Sequence, residues 1–268
     1  MTPALRVEPG DHAGAAFSSP AAFAETSVAF AERAIAASAR VLIFPGGEHR
    51  DGLGAFRRLC DRRSRAVAEA GDQVQVGDSR QVQWALGRFD PGYLHQAYEA
   101  ATRQAVADGF TGLWVSVDMS WAASADPGAL ADFEAASSRL FSDGELTAVC
   151  QYDTRVFARP HLAAACRAHP ANLAAGSPLR HRSFDDDRLL VLSGETDMGN
   201  ATAFTALLGR LRPGATLDIT AMTFLDVRAL AAVARTAAEV AGLTLRATAA
   251  QEATLDLIQD ALPRRREW

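Results

Sequence analysis

Apolar positions along the chain alternate between two periods. Val41-Leu42-Ile43-Phe44, Leu113 to Val117 and Leu146 to Tyr152 are short unbroken runs. Such runs read as strands buried on both faces, as in a parallel sheet. Between them, apolar residues return every three to four positions, the period of an amphipathic helix. Phe23 to Ser38 spaces Phe23, Thr26, Phe30, Ala34 and Ala37 this way, behind the start signals Ser18, Ser19 and Pro20. Gly52 to Glu69 reads as a helix, broken or whole, with an Arg-rich solvent face. Tyr93 to Ala107 reads as a helix stopped at Gly109. Pro127 to Leu140 turns Leu130, Phe133 and Leu140 inward, with Glu134 near the apolar face, and His161 to His169 stops at Pro170. Asp11 to Phe17 and Val74 to Val76 are weaker strands. The alternation predicts α/β layering around a central, mostly parallel sheet.

Periodicity fades from Asn172 to Asp187, a stretch that holds Gly176-Ser177-Pro178 and Asp185-Asp186-Asp187. It reads as a connection between domains. Beyond it come a strand at Arg188 to Ser193, a helix at Ala201 to Leu211 and a strand at Thr216 to Thr220. A helix at Arg228 to Ala241, a strand at Leu243 to Ala247 and a helix at Thr254 to Leu262 complete the chain. The expectation is a domain over 8–172, a linker over 173–186 and a smaller α/β domain over 187–263. A length of 268 residues suits two domains.

Composition narrows the function. With 27 basic and 32 acidic residues the net charge is −5, which opposes generic nucleic-acid binding. Cys60, Cys150 and Cys166 are odd in number and form no CxxC pair, so they read as reduced cytosolic thiols. No apolar run approaches the roughly 18 residues of a membrane span. A soluble cytoplasmic protein without membrane contact is expected, and the Arg264-Arg265-Arg266 tail reads as solvated.

Candidate chemistry centres on Asp118 to Trp121, directly after the strand Leu113 to Val117. Ligands of open α/β sheets bind at carboxyl ends of strands, which makes Asp118 and Trp121 candidate pocket residues. Among Trp84, Trp114 and Trp121, the last is the best candidate for a pocket wall. The glycines after Val41 to Phe44 invite a phosphate-loop reading. Gly46 to Phe56 reads GGEHRDGLGAF, however, without the Lys-Ser or Lys-Thr that reaches phosphate and magnesium. Asp118, Glu134 and Asp153 are the carboxylates available for acid–base work. The six histidines show no HxxxH or HxH spacing, so no metal site is assigned from sequence. A ligand site combining His12 with Cys150 or His169 stays open in three dimensions.

Residues 8–172 resemble the MEDS domain, a sensory domain named from methanogen and methylotroph proteins and the dichloromethane-responsive regulator. The matching residues are Asp11-His12, Val41 to Phe44, Asp118-Met119-Ser120-Trp121, Phe133-Glu134, Cys150-Gln151-Tyr152-Asp153, Phe157 and His169-Pro170. The resemblance implies a small-ligand sensor on a RecA/KaiC-like fold without a working phosphate loop. Residues 186–262 resemble a STAS domain, the fold of anti-sigma-factor antagonists. Here the carriers are Leu192 to Asp197, Asn200 and the block Leu217-Asp218-Ile219-Thr220-Ala221-Met222-Thr223-Phe224-Leu225-Asp226. That family continues the block with a phosphorylatable serine, whereas Val227-Arg228-Ala229 follows here. A phosphoryl switch acting through about two added negative charges has no hydroxyl to use there.

The expected function is a non-enzymatic signalling protein. His12, Asp118, Trp121, Glu134 and Tyr152 would bind a small molecule. Asp197, Asp226, Val227 and Arg228 would meet a partner such as an anti-sigma factor. No cofactor is identified, and a homodimer is one expected assembly. The alternative is a degenerate nucleotide-binding protein or weak nucleotide hydrolase using Asp118 and Glu134. A DNA-binding regulator is the third class, without a visible helix-turn-helix.

Overall fold

The computed structural model describes residues 7–46, 51–77, 89–173 and 178–261. The loop residues Gly47 to Arg50, Trp84, Gly176-Ser177 and the Arg264 to Arg266 tail lie outside them.

Six strands form the first sheet: β1 (His12–Phe17), β2 (Arg40–Phe44), β3 (Val74–Val76), β4 (Leu113–Asp118), β5 (Leu146–Asp153) and β6 (Ala171–Asn172). Their order is β3-β2-β4-β5-β1-β6, and every pairing is parallel. The unbroken apolar runs occupy the central strands β4 and β5, buried at every position. Successive side chains of a strand face opposite ways, so each run feeds two cores. On one face, Val41, Ile43, Trp114 and Val149 pack under Phe23 and Phe30 of α1 (Pro20–Ala36) and Phe56 and Leu59 of α2 (Asp51–Arg63). On the other, Val115, Val117, Ala148, Cys150 and Tyr152 pack under α4 (Pro91–Ala107), α5 (Pro127–Ser137) and α6 (Arg159–Ala168). This is the layered α/β domain expected from the pattern.

Helix starts follow local chemistry. Ser19, Asp90 and Asp126 accept from the N–H groups of Ala22, Tyr93 and Ala129, and each is followed by a proline. These caps satisfy otherwise unpaired donors. The helix expected over 52–69 breaks at Ser64, whose hydroxyl caps α3 (Arg65–Ala68). The helix expected to reach Leu140 ends at Ser137 and continues as a 3₁₀ turn, Ser138–Phe141.

A separate sheet, ordered β10-β9-β8-β7, forms the smaller domain. It comprises β7 (Leu179–Phe184), β8 (Leu189–Thr196), β9 (Thr216–Leu225) and β10 (Thr244–Arg246). Its helices are α7 (Ala201–Leu208), α8 (Val227–Glu239) and α9 (Ala249–Ala261). β7 lies within the stretch read as a linker. It runs antiparallel to β8 through a turn at Asp185, Asp186 and Asp187, all with positive φ. Asp tolerates that conformation better than most residues. The alternation of Leu179 and His181, buried, with half-buried Arg180 and Arg182 is a strand signature carried by polar residues, which hydrophobic periodicity does not register. β9 extends to Leu225, past the expected end at Thr220. Two irregularities in its pairing with β8 absorb the extra length.

Among the described residues, no helix is long and apolar enough to cross a membrane.

Candidate functional site

Four elements converge on one buried point between the first sheet and its α4–α6 face. β1 supplies His12, β5 supplies Cys150 and Tyr152, α5 supplies Glu134, and His169 follows α6 directly. Cys150 and Tyr152 are two apart on a strand, so both point to this face. Gly14 pairs with Cys150 in the β1–β5 register. A Cβ at Gly14 would lie 3.2 Å from the His169 ring, so the glycine leaves that ring its space.

Glu134, 1 % exposed, is the hub. The Tyr152 hydroxyl donates to its Oε1 at 2.6 Å. His12 Nε2 lies 3.2 Å and His169 Nε2 3.3 Å from Oε2. The Cys150 thiol donates to the same oxygen at 3.8 Å and stands 3.7 Å from His12 Nε2. His169 Nδ1 sits 2.8 Å from the Ala165 carbonyl, which can only accept, so Nδ1 carries a proton. His12 Nδ1 and His169 Nε2 find no hydrogen-bond partner among the described residues.

The electrostatics follow from burial. Burial pushes His12 down to about 4, with His169 adding to the effect and Glu134 opposing it. For Glu134, burial would raise the carboxyl, but charge and hydrogen bonds from His169 and His12 reverse this and hold it below the usual carboxylate range. Burial, then the Glu134 charge, pushes the Cys150 thiol and the Tyr152 phenol well above their ordinary values.

The hub opens onto a cavity of about 30 Å³. That is room for about two waters or a molecule of similar size. His12, Glu134 and Cys150 form its polar side, and Trp121, Phe133 and Phe141 its aromatic walls. Phe141 stacks on His12 at 4.4 Å, and Phe89 packs against both Trp121 and Phe133.

The structure thus brings His12, Glu134, Tyr152 and Trp121 together. Asp118 stands apart: it does not line the cavity, and it caps the 3₁₀ turn Met119–Ala122 by accepting from Ser120 N–H at 2.8 Å. Burial raises its pKa. Trp114 is a core residue packed on Phe30. The site lies under the helices rather than at the carboxyl ends of the strands, and only Trp121 joins it from the expected rim. Cys150 and His169, which the sequence leaves open as partners of His12, both join it in the fold although they are far from it along the chain. The legible signal was a charged Glu134 on an apolar helix face.

In the smaller domain Asp226 caps α8 through Ala229 N–H, while Val227 is 73 % and Phe224 50 % exposed. Asp197 and Met198 are exposed at the end of β8, whose Thr196 pairs with Leu225. The two sequence blocks singled out here therefore finish side by side.

Residues 11–170 match the sequence profile of MEDS, the MEthanogen/methylotroph, DcmR Sensory domain. The chain belongs to the MEDS family. The match ends at Pro170, so it covers His12, Glu134, Cys150 and His169 but not the smaller domain. No curated protein sequence matches the chain. MEDS membership gives the larger domain a sensory role, and the cavity beside Glu134 is a candidate site for it.

Proposed function

We propose that the chain is a non-enzymatic signalling protein in which the MEDS domain holds a small molecule at His12, Glu134 and Trp121. The smaller domain, STAS-like in our reading, then presents Asp197, Asp226, Val227 and Arg228 to a protein partner of the anti-sigma-factor type. The observation that carries this reading is an aromatic-walled cavity with one polar, charged side, buried inside a sensory-family domain. Sites that fix a small ligand combine an apolar wall with few polar groups in this manner.

A route from cavity to partner surface supports the coupling. Each of three site residues lies within four positions of a hydrogen bond to the smaller domain. Asp11 accepts from Arg180, the Ser138 carbonyl accepts from His181 at 2.6 Å, and the Pro170 carbonyl accepts from Asn200 at 3.2 Å. Asn200 also accepts from Thr196 and from Asp197 N–H, and Asp226 N–H donates to the Thr196 carbonyl. A ligand biases the partner surface only insofar as it prefers one arrangement of these contacts. No observation favours the nucleotide hydrolase, because Asp118 is absent from the cavity that holds Glu134.

The test is thermal unfolding of the full chain with one- to three-carbon alcohols, carboxylates and thiols. At least one probe should raise the melting temperature of the wild type, and Ala148→Val, which adds bulk to the cavity lining, should abolish the gain. No gain from any probe, or a gain that survives Ala148→Val, contradicts the reading.

A further inference from the structure

Glu134 and its neighbours form a set of contacts that hydrogen bonding alone leaves incomplete. His169 Nδ1 spends its proton on the Ala165 carbonyl. With Nδ1 so engaged, the other ring nitrogen, Nε2, faces Glu134 Oε2 at 3.3 Å and has no hydrogen-bond partner among the described residues. A buried ring nitrogen left without a hydrogen bond beside a carboxylate oxygen is a place that a bound cation would satisfy.

We propose that His12, Glu134, Cys150 and His169 form a binding site for one divalent first-row transition metal of the zinc class. The inference deepens the sensory reading of the cavity and rests on it for its biological meaning, though not for its geometry. One ligand atom from each residue lies within 4.8 Å of the others, and all four residues are buried. A tetrahedral ion at about 2.0–2.1 Å from N or O and about 2.3 Å from S separates its N and O ligands by about 3.3 Å, and S from either by about 3.6 Å. The observed separations are 3.2 and 3.3 Å for His12 and His169 to Glu134, and 3.7 and 3.8 Å for Cys150 to His12 and Glu134. These four separations are close to edges of that tetrahedron, and the remaining two, from His169 to His12 and to Cys150, lie within 4.8 Å, so binding an ion would draw His169 in.

Donor chemistry selects the class of ion. One thiolate, one carboxylate and two imidazoles suit zinc or its first-row neighbours, whereas magnesium and calcium take oxygen ligands. A divalent ion with one thiolate and one carboxylate is neutral overall, which a fully buried site favours. For Glu134 and His169 the outer contacts have the pattern that orients metal ligands, while His12 Nδ1 has no such partner among the described residues. The Tyr152 hydroxyl holds Glu134 Oε1 and so leaves Oε2 facing the imidazoles, and the Ala165 carbonyl fixes the His169 tautomer. His12, Glu134 and Cys150 also line the cavity, so a small molecule entering it would meet the ion. A ligand with a lone-pair donor, such as an alcohol, carboxylate or thiol, could then bind as an added ligand.

The test uses the full chain stripped with a chelator and titrated with Co²⁺, then Zn²⁺. The wild type should take up one Co²⁺ per chain, with tetrahedral d–d bands and thiolate-to-cobalt charge transfer, and Zn²⁺ should displace it. The Cys60→Ser/Cys166→Ser variant leaves Cys150 as the only cysteine and should keep the charge-transfer absorption. Cys150→Ser should lose it, and His169→Gln should weaken Co²⁺ binding at least tenfold. No stoichiometric uptake by the wild type overturns the proposal. So does charge transfer that disappears from a folded Cys60→Ser/Cys166→Ser variant, since the ion would then sit on another thiol. Should that variant not fold, the two single variants carry the same comparison. Absent Co²⁺ binding with small-molecule stabilisation intact removes the metal and leaves the sensory reading. Co²⁺ binding without any small-molecule effect does the reverse.

Discussion

Arg180, on the first strand of the smaller domain, donates to both carboxylate oxygens of Asp11, at 2.8 and 3.1 Å. Asp11 is 3 % exposed and immediately precedes His12 in the cavity. The ion pair therefore ties the smaller domain to the strand that carries a site residue. Arg180→Ala should leave Asp11 with the Glu8 N–H as its one donor among the described residues. The expected loss is about 1–3 kcal/mol, measured by chemical denaturation. An unchanged midpoint would mean that water replaces the guanidinium without cost.

Tyr152→Phe removes one hydrogen bond and almost no volume. The hydroxyl donates to a buried carboxylate, so its loss should cost about 1.5–3 kcal/mol. It should also free Glu134 to rotate away from His12 and His169, weakening small-molecule or metal binding in the cavity. Differential scanning calorimetry and a binding titration on the same variant separate the two effects.

Acid should destabilise the protein through His181. Burial pushes this histidine from 6.5 down to about 4 despite its bond to the Ser138 carbonyl, with Arg210, Arg182 and His12 adding to the effect. The unfolded chain thus takes up this proton first as pH falls. The contribution of neutral His181 is intact above about 6.5 and is lost as pH drops toward 4, at up to about 1.4 kcal/mol per pH unit. His181→Gln should flatten the pH dependence of unfolding free energy in that window by close to one proton. A variant with the wild-type slope would assign the acid sensitivity elsewhere.

If the proposed partner surface is real, binding should separate from stability. Val227 is largely exposed at the start of α8, so Val227→Asp should change stability by no more than about 0.5 kcal/mol. It should weaken binding of any anti-sigma factor that the wild type captures by at least tenfold. Incubation with anti-sigma kinases should show binding without phosphate on residues 217–230. Phosphate there would contradict the switchless reading of Val227-Arg228.

Much of the layered fold was legible because β4 and β5 are apolar throughout and the helix caps are conventional Ser and Asp residues. β7 was missed because its sequence, LRHRSF, satisfies its burial with hydrogen bonds rather than apolar area. Arg180 and His181 spend their donors on Asp11 and on the Ser138 carbonyl, contacts that no local pattern encodes. The site was partly legible for a similar reason. Glu134 and Tyr152 announce themselves as polar groups within apolar runs. The meeting of His12 with His169 depends on β1 lying next to β5, and on Gly14 leaving room for the ring. Asp118 had the right sequence setting for a ligand residue, but its carboxylate is occupied in capping the next turn.

A ligand signal requires coupling between the buried hub and the exposed edge of the smaller domain. Hydrogen exchange of the full chain, compared between the wild type and Glu134→Gln, tests it directly. Altered protection is expected at residues 195–200 and 224–228 as well as around the cavity. Changes confined to residues 11–170 would contradict it.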